Sequence, residues 1–288
     1  MADVFNHKSF LSGDEATRKS IMLKASKSKY NGEIDYPWDN YFGGSLKPLL
    51  EGKTVLDLGC LGGGRSIAWF ERYDLRQISG IDVKDEYIAA AKQFGAIHNA
   101  NTDFRKSTGE ALPFEDEIFD AILTFDVFEH VQDVRKTLSE CQRVLKKGGK
   151  LFLVFPSYYH PIEHHLASVT LTPCIHWLFS GKTLMKAYCE ILDERGDEAY
   201  WYGRSSPQLE SWEKCNTING TTFSQFKKLV RAMKWRIDAE VHRPLGSIGR
   251  NASKYGSGKL LSRLFFPLTF LPVVQEMFLH RITFILEK

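Results

Sequence analysis

The chain has almost no excess of charge. Its 38 Lys and Arg stand against 35 Asp and Glu, a net of +3. That balance leaves no electrostatic footprint for a nucleic-acid backbone, so no nucleic-acid partner is expected. Paired cysteines are also missing. The five present, Cys60, Cys141, Cys174, Cys189 and Cys215, are odd in number, scattered, and never spaced C-x-x-C. This excludes a disulfide framework and fits reduced thiols in a cytoplasmic protein. The polar residues 1–19 carry no secretory signal. The longest apolar stretch, 260–278, is broken by Arg263, Pro267, Pro272 and Gln275, so no integral membrane span is expected. Packing against the domain is its expected fate, with peripheral contact at a lipid surface as the second reading. There is no internal repeat. With 288 residues and 43% apolar content, the chain can bury a core that needs no covalent staples.

The informative stretch is Val55-Leu56-Asp57-Leu58-Gly59-Cys60-Leu61-Gly62-Gly63-Gly64-Arg65-Ser66. An apolar run ends in an acid, then glycines, then an amphipathic segment. This spacing predicts a buried strand turning sharply into a helix whose first N–H groups can hold a ligand's polar end. Strands are expected at 53–58, 77–83, 103–106, 118–125 and 151–155, with helices at 65–73, 84–95 and 131–145 between them. The second helix places Tyr87, Ile88, Ala91 and Phe94 on one face. Near-continuous apolar strands joined by helices mean a parallel, doubly wound sheet of the α/β, Rossmann-like class, with its ligand beyond the carboxyl ends of the strands.

Four regions follow. Residues 1–50 are read as an arm, loose or briefly helical over 1–30. Its Tyr36, Trp38 and Tyr41 either cover the site or pack on the outer helices. Residues 51–155 form the α/β core. Residues 156–221, rich in His and aromatics and broken by Pro and Gly, are read as a cap inserted after strand five. Residues 222–288 complete the sheet with a helix at 222–233, a strand at 234–241, a basic loop at 246–258 and a last strand at 279–286.

The glycine turn does not have the dinucleotide spacing G-x-G-x-x-G, because Leu61 occupies the second glycine position. That argues against a nucleotide-dependent oxidoreductase. The pattern instead resembles the class I S-adenosylmethionine (SAM) dependent methyltransferases, whose signature is an acid followed by Gly at the second, fourth and sixth positions. Asp57, Gly59 and Gly63 match, and Leu61 departs. Further resemblances are Asp82 ending strand two, Glu110-Ala111-Leu112-Pro113-Phe114 after strand three, Asp126-Val127-Phe128-Glu129-His130-Val131 after strand four, and Arg143-Val144-Leu145-Lys146-Lys147-Gly148-Gly149 before strand five. The resemblance implies a seven-stranded, mostly parallel sheet with the last strand antiparallel, and SAM as cofactor. It implies a cofactor site at Asp57, Gly59, Cys60, Gly63, Asp82, Val83, Gly109, Glu110 and Asp126. In it Asp82 accepts the ribose hydroxyls, while Thr108 and Gly109 stand where the family often has Asp near the adenine.

The chain lacks the Asn/Asp-Pro-Pro-Tyr/Phe motif of nitrogen-directed members; Thr124-Phe125-Asp126-Val127 stands there. Residues 156–166 and 175–180 resemble a type-11 subgroup associated with glycan and natural-product clusters. Together these readings imply O-methylation of a small-molecule, sugar or glycolipid hydroxyl. A hydroxyl must lose its proton, and His suits that task near neutral pH. His165 is the first candidate base, then His164 and His160, with His130 as a further candidate. Tyr158, Tyr159, His160 and His176 are expected with Tyr36, Trp38 and Tyr41 around the substrate. A metal gathered by His160, Glu163, His164 and Asp126 is the weaker reading, since the spacing matches no ligand signature; no metal is expected. A carboxylate, carbon or lipid acceptor, and a non-catalytic SAM-binding module, are the alternatives.

Overall fold

The computed structural model describes residues 13–162, 170, 172–195, 218–245, 262–271 and 274–288. Seven strands form a sheet: β1 Thr54–Leu58, β2 Gln77–Asp82, β3 Thr102–Lys106, β4 Phe119–Phe125, β5 Leu145–Phe155, β6 Arg236–Glu240 and β7 Ile282–Glu287. Their order is β3-β2-β1-β4-β5-β7-β6. The first five are parallel, and β7 runs antiparallel between β5 and β6. The expected seven-stranded, mostly parallel sheet with an antiparallel last strand is present.

Alternate side chains of a strand leave opposite faces of the sheet, and here both faces are apolar. Leu56, Leu58, Ile122, Leu153 and Leu286 join one buried cluster, completed by α6 Val134–Val144 and α9 Phe223–Ala232 through Leu138, Phe226 and Val230. Val55, Ala121, Leu123, Phe152 and Val154 join the other, with Trp69 and Tyr73 from α4 Gly64–Arg72 and its C-terminal cap. A one-residue slip in any central strand would exchange these sets, so the register is fixed by burial.

Two elements differ from expectation. The polar residues 1–30 were expected to be loose or briefly helical; instead α1 Glu15–Asp35 is a 21-residue helix, its N-cap Asp14 accepting from the Thr17 N–H at 2.8 Å. It lies on α4 and on α5 Asp85–Ile97. Its contact face includes the small Ser26, which shows no apolar stripe in the sequence. Strand five also begins earlier than 151. Phe119 pairs with Leu145 and Ala121 with Lys150, so the Lys146–Gly149 turn is a bulge carried inside one strand.

Short helices α2 Asp39–Phe42 and α3 Lys47–Leu50 follow α1. Of the cap, residues 156–162, 170, 172–195 and 218–221 are described, including α7 Ile175–Leu178 and α8 Gly181–Arg195. The aromatics at 200–202 and 212, the basic loop 246–258, and His164 and His165 lie outside the described residues. A short α10, Gln275–Phe278, precedes β7.

The sheet order reverses between β1 and β4, which opens a crevice at their carboxyl ends. Because β6 runs parallel to β5 and β7 antiparallel, the connection 241–281 leaves and returns at that same edge. So does the start of the cap.

Candidate functional site

At the carboxyl end of β1 the chain makes its glycine turn under tight constraint. The N–H groups of Gly59 and Cys60 both reach the Ile81 carbonyl, at 3.0 and 2.9 Å. Gly59 has φ +85, and a Cβ there would sit 2.2 Å from Val127. Gly63 is the N-cap of α4, also left-handed. Leu61 sits at φ +49, in the left-handed region that favours glycine. The departure from the glycine pattern is therefore a strained position. Leu61→Gly removes about 1 kcal/mol of strain and loses about 0.5 kcal/mol to chain entropy. A urea titration should show a small net gain in stability, with ligand affinity no lower than wild type. A large loss of either would show that the half-buried leucine side chain holds the turn.

The Leu61 N–H donates to Asp82 Oδ2 at 3.1 Å, and the Lys84 N–H to Oδ1 at 3.3 Å. Asp82 is thus fixed at the end of β2 by backbone N–H groups on both oxygens, with the Val83 N–H contributing as well. A carboxylate offers about four acceptor positions, so Asp82 keeps acceptor capacity for a ligand hydroxyl. Burial raises the Asp82 pKa, opposed by those backbone N–H groups. Beside it Val83 is exposed, giving an apolar face next to the carboxylate.

Asp57 lies beneath the turn, fully buried, and accepts from Ser66 Oγ at 2.5 Å. Burial pushes its pKa up to about 7, with Ser66 acting in the opposite direction. A shallow cleft opens above, lined by Asp57, Gly59, Cys60, Leu61, Gly64, Arg65 and, from α1, Lys29. Arg65 reaches Glu33 of α1 at 3.7 Å and stacks over Phe125 at 4.2 Å. Glu33 is buried, which raises its pKa against the effect of Arg65, and it accepts from the Trp38 N–H at 2.9 Å. Sequence reasoning missed Lys29, Glu33 and Arg65; two of them lie on an arm read only as loose or briefly helical.

Several expected cofactor contacts take other work. The Cys60 side chain points into the cluster of Ile67, Ile88 and Phe104, and burial raises its thiol pKa. Only its backbone belongs to the turn. Glu110 Oε1 accepts from the N–H groups of Gln132 and Asp133, at 2.7 and 3.2 Å, clipping the loop after β3 to the start of α6. Gly109 is packed closely, its virtual Cβ 2.9 Å from Thr137. Trp38 is a core residue: it packs on Trp69 at 4.6 Å and donates from Nε1 to the Tyr73 hydroxyl at 3.0 Å. Tyr36 is half-buried against the same cluster.

A second group gathers beyond β4, β5 and the start of β7. Asp126 has φ +55 and meets Arg281 Nε at 3.3 Å. Tyr41 stacks on His280 at 5.9 Å, and His280 meets His160 edge-on at 5.9 Å. Burial pushes the Tyr41 pKa up to about 12. Asp126, expected on the cofactor, thus stands between the cofactor cleft and this group. His160 Nδ1 accepts the Ile162 N–H at 3.2 Å, so in the neutral ring the proton sits on Nε2. Tyr158 and His176 meet edge-on at 6.3 Å, and Tyr159 is exposed beside them. His130 Nε2 lies 3.7 Å from the buried Glu129. A second shallow cleft runs between Glu129, Ser157, Tyr158 and Thr221. Among the described residues no three His, Cys, Asp or Glu side chains gather as a metal site; of the metal reading, Glu163 and His164 lie outside them. Arg281 and His280 were also missed, though their place before an antiparallel last strand puts them at the carboxyl edge.

Residues 56–153 match the Methyltransf_11 family model, a methyltransferase domain. A ubiquinone biosynthesis O-methyltransferase of Pseudomonas fluorescens (strain Pf0-1) is 36% identical over 104 residues, 36% of this chain and 44% of that protein. One from Xanthomonas oryzae pv. oryzae (strain PXO99A) is 37% identical over 105 residues, 36% of this chain and 43% of that protein. The chain therefore spans less than half the length of these relatives. The structure of an S-adenosylmethionine dependent methyltransferase from Mesorhizobium loti superposes with a TM-score of 0.51 at 14% identity, covering 84% of this chain and 93% of that one. That is a likeness of fold. Residues 56–153 are thus similar to a methyltransferase domain.

Proposed function

We propose that the chain is a SAM-dependent O-methyltransferase acting on a hydroxyl of a small molecule, sugar or glycolipid. The observation that carries this reading is the pairing of the glycine turn with Asp82 at the switch point, inside the segment that matches the methyltransferase domain. The residues present fit SAM. Asp82 keeps acceptor capacity for a cis-diol, Val83 offers an apolar face to a flat ring, and Lys29 and Arg65 line the cleft where an anionic carboxylate would be held. When bound, SAM supplies a methyl group made electrophilic by its sulfonium sulfur.

The chain's own part is to align an acceptor and take its proton. Asp126, Tyr41, His160, His280 and Arg281 stand at the acceptor edge. His160, protonated on Nε2, orients an acceptor oxygen rather than deprotonating it. The base we propose is His165, with His164 and His130 next; His165 and His164 continue the segment that holds Tyr158, Tyr159 and His160 at this edge. The names of the relatives, O-methyltransferases, support an oxygen acceptor.

Calorimetry with SAM, and mass spectrometry of an extract incubated with labelled SAM, test the reading. Asp82→Ala should weaken SAM about 100-fold, the cost of losing charge-assisted hydrogen bonds. His165→Ala should keep SAM affinity and lose about 100-fold in turnover. No heat with SAM at millimolar concentration would remove the cofactor; unchanged turnover in His165→Ala would remove the base.

A further inference from the structure

We infer that the carboxyl edge of the sheet is a docking face for an anionic membrane surface. The two ends of the strands differ in character. At the amino edge, ion pairs cover the sheet: Arg76 and Lys146 with Asp120 at 3.3 and 2.8 Å, Lys150 with Glu287 at 2.8 Å, and Lys288 with Glu117 at 3.1 Å. At the carboxyl edge, large apolar side chains face outward. Of the twelve exposed large apolar side chains among the described residues, eight lie in the two connections that leave this edge. Leu178 and Phe179 are 74% and 52% exposed in the cap. Leu264, Phe266, Phe270 and Leu271 are 63%, 47%, 53% and 50% exposed between β6 and β7.

The outward rings are held in place from below. Phe265 turns inward onto Phe278 at 5.1 Å. Buried Thr269 donates from Oγ1 to the Phe266 carbonyl at 2.6 Å. The His242 ring lies flat on Phe270 at 4.4 Å, and its Nδ1 is 2.7 Å from the Thr269 carbonyl. Buried Glu276 accepts from Ser157 Oγ at 3.0 Å, which ties this connection to the end of β5 and the acceptor edge. A fixed apolar ridge in water costs free energy unless something covers it.

Charge identifies the occupant. Between Glu240 and Glu276 the sequence has no Asp or Glu, but has Arg243, Arg250, Lys254, Lys259 and Arg263. Arg263 is exposed directly beside Leu264. An apolar ridge in a stretch whose sequence carries cations and no acids matches a bilayer interface with anionic head groups, where rings and leucines enter the acyl boundary and Lys and Arg meet phosphate. No helix among the described residues is long and apolar enough to cross a membrane, so the contact is peripheral. The same edge holds the acceptor group, so an acceptor carried in the lipid would be presented without leaving it.

Co-sedimentation of the full chain with vesicles tests this, using pure phosphatidylcholine against two parts phosphatidylcholine to one part phosphatidylglycerol. The chain should sediment with the mixed vesicles and much less with the neutral ones. Leu264→Glu with Phe266→Glu should weaken binding about tenfold or more. Leu178→Glu, in the other connection, should weaken it too, which separates docking from local misfolding of one segment. Arg263→Glu should weaken binding to the mixed vesicles several-fold. Ile97→Glu, equally exposed but at the amino edge, should change nothing. Absence of binding to mixed vesicles, or equal losses in Ile97→Glu, overturns the inference. So does self-association, measured by sedimentation velocity, that the paired substitution abolishes while vesicle binding persists. Vesicle binding needs neither cofactor nor turnover, so its failure is distinct from a failure of methyl transfer.

Discussion

Gly64→Ala is expected to push the N-terminal helix off the glycine turn and destabilise the protein by about 3 kcal/mol. A Cβ at Gly64 would stand 1.9 Å from the Ser26 carbonyl oxygen, 2.8 Å from its carbon and 3.0 Å from the Tyr30 nitrogen. These are backbone atoms of α1 and cannot rotate away. Either α1 or the start of α4 must move, and both carry contacts on which the site depends. Moving α1 withdraws Lys29 from the cofactor cleft and separates Glu33 from Arg65. It also loosens the Tyr30 contacts, a hydrogen bond to Glu71 and an edge-on packing with Phe94. Urea unfolding measures the stability loss. Limited proteolysis should then find new cleavage within 15–35, and SAM affinity should fall with it. Gly44→Ala is the control, since its Cβ meets nothing within 4 Å; it should stay within about 0.5 kcal/mol of wild type. Equal stability of Gly64→Ala and wild type would mean that α1 does not dock on the turn in solution.

Asp57→Asn is expected to make the ligand-free protein more stable above neutral pH and to flatten its stability profile. An unfolded aspartate ionises near pH 3.9, whereas in the folded chain burial pushes Asp57 up to about 7. Between those values the folded chain holds a proton that the unfolded chain has released. Stability therefore falls as pH rises through this window, by on the order of 4 kcal/mol at most, and has no further slope from Asp57 above it. Asparagine keeps an oxygen for the Ser66 hydroxyl and never ionises. Asp120, Glu140, Glu240 and Glu287 have lowered pKa values, so their contribution runs the other way at more acidic pH. Asp82 and Glu33 are shifted upward by burial as well, so the slope in the variant shrinks without vanishing. Urea titrations at pH 5 and pH 8 measure the effect; identical profiles for Asp57→Asn and wild type would show that Asp57 ionises without penalty.

Much of the sheet could be read along the chain because its strands are buried on both faces. Residues such as Leu56, Ile122 and Leu153 must be apolar wherever the helices fall, and the glycine turn and Asp82 lie at strand ends whose direction the alternation already implies. Tertiary approach is a different matter. The helix at Glu15–Asp35 was read only as a loose or brief one because, beside Met22, Leu23 and Tyr30, it docks through Ser26 on a glycine, and so its sequence shows little apolar period. Trp38 could equally have covered a ligand or filled a core, and only the position of Trp69 and Tyr73 settles it in the core. The stretch 260–278 was expected to be buried; Leu264, Phe266, Phe270 and Leu271 face outward instead, because Thr269 and His242 fix the turn that orients them.

The glycine turn shows the same division. Its sequence alone determined a sharp strand-to-helix turn, an acid beneath it and a second acid at the next strand end. Only the folded chain decided that Leu61 is strained, that its N–H is spent on Asp82, and that a helix from the N-terminus lies across the turn. Periodicity records which residues must avoid water, and so it specifies strands and their faces. It does not record which two surfaces meet, because that depends on distances between segments far apart in the chain.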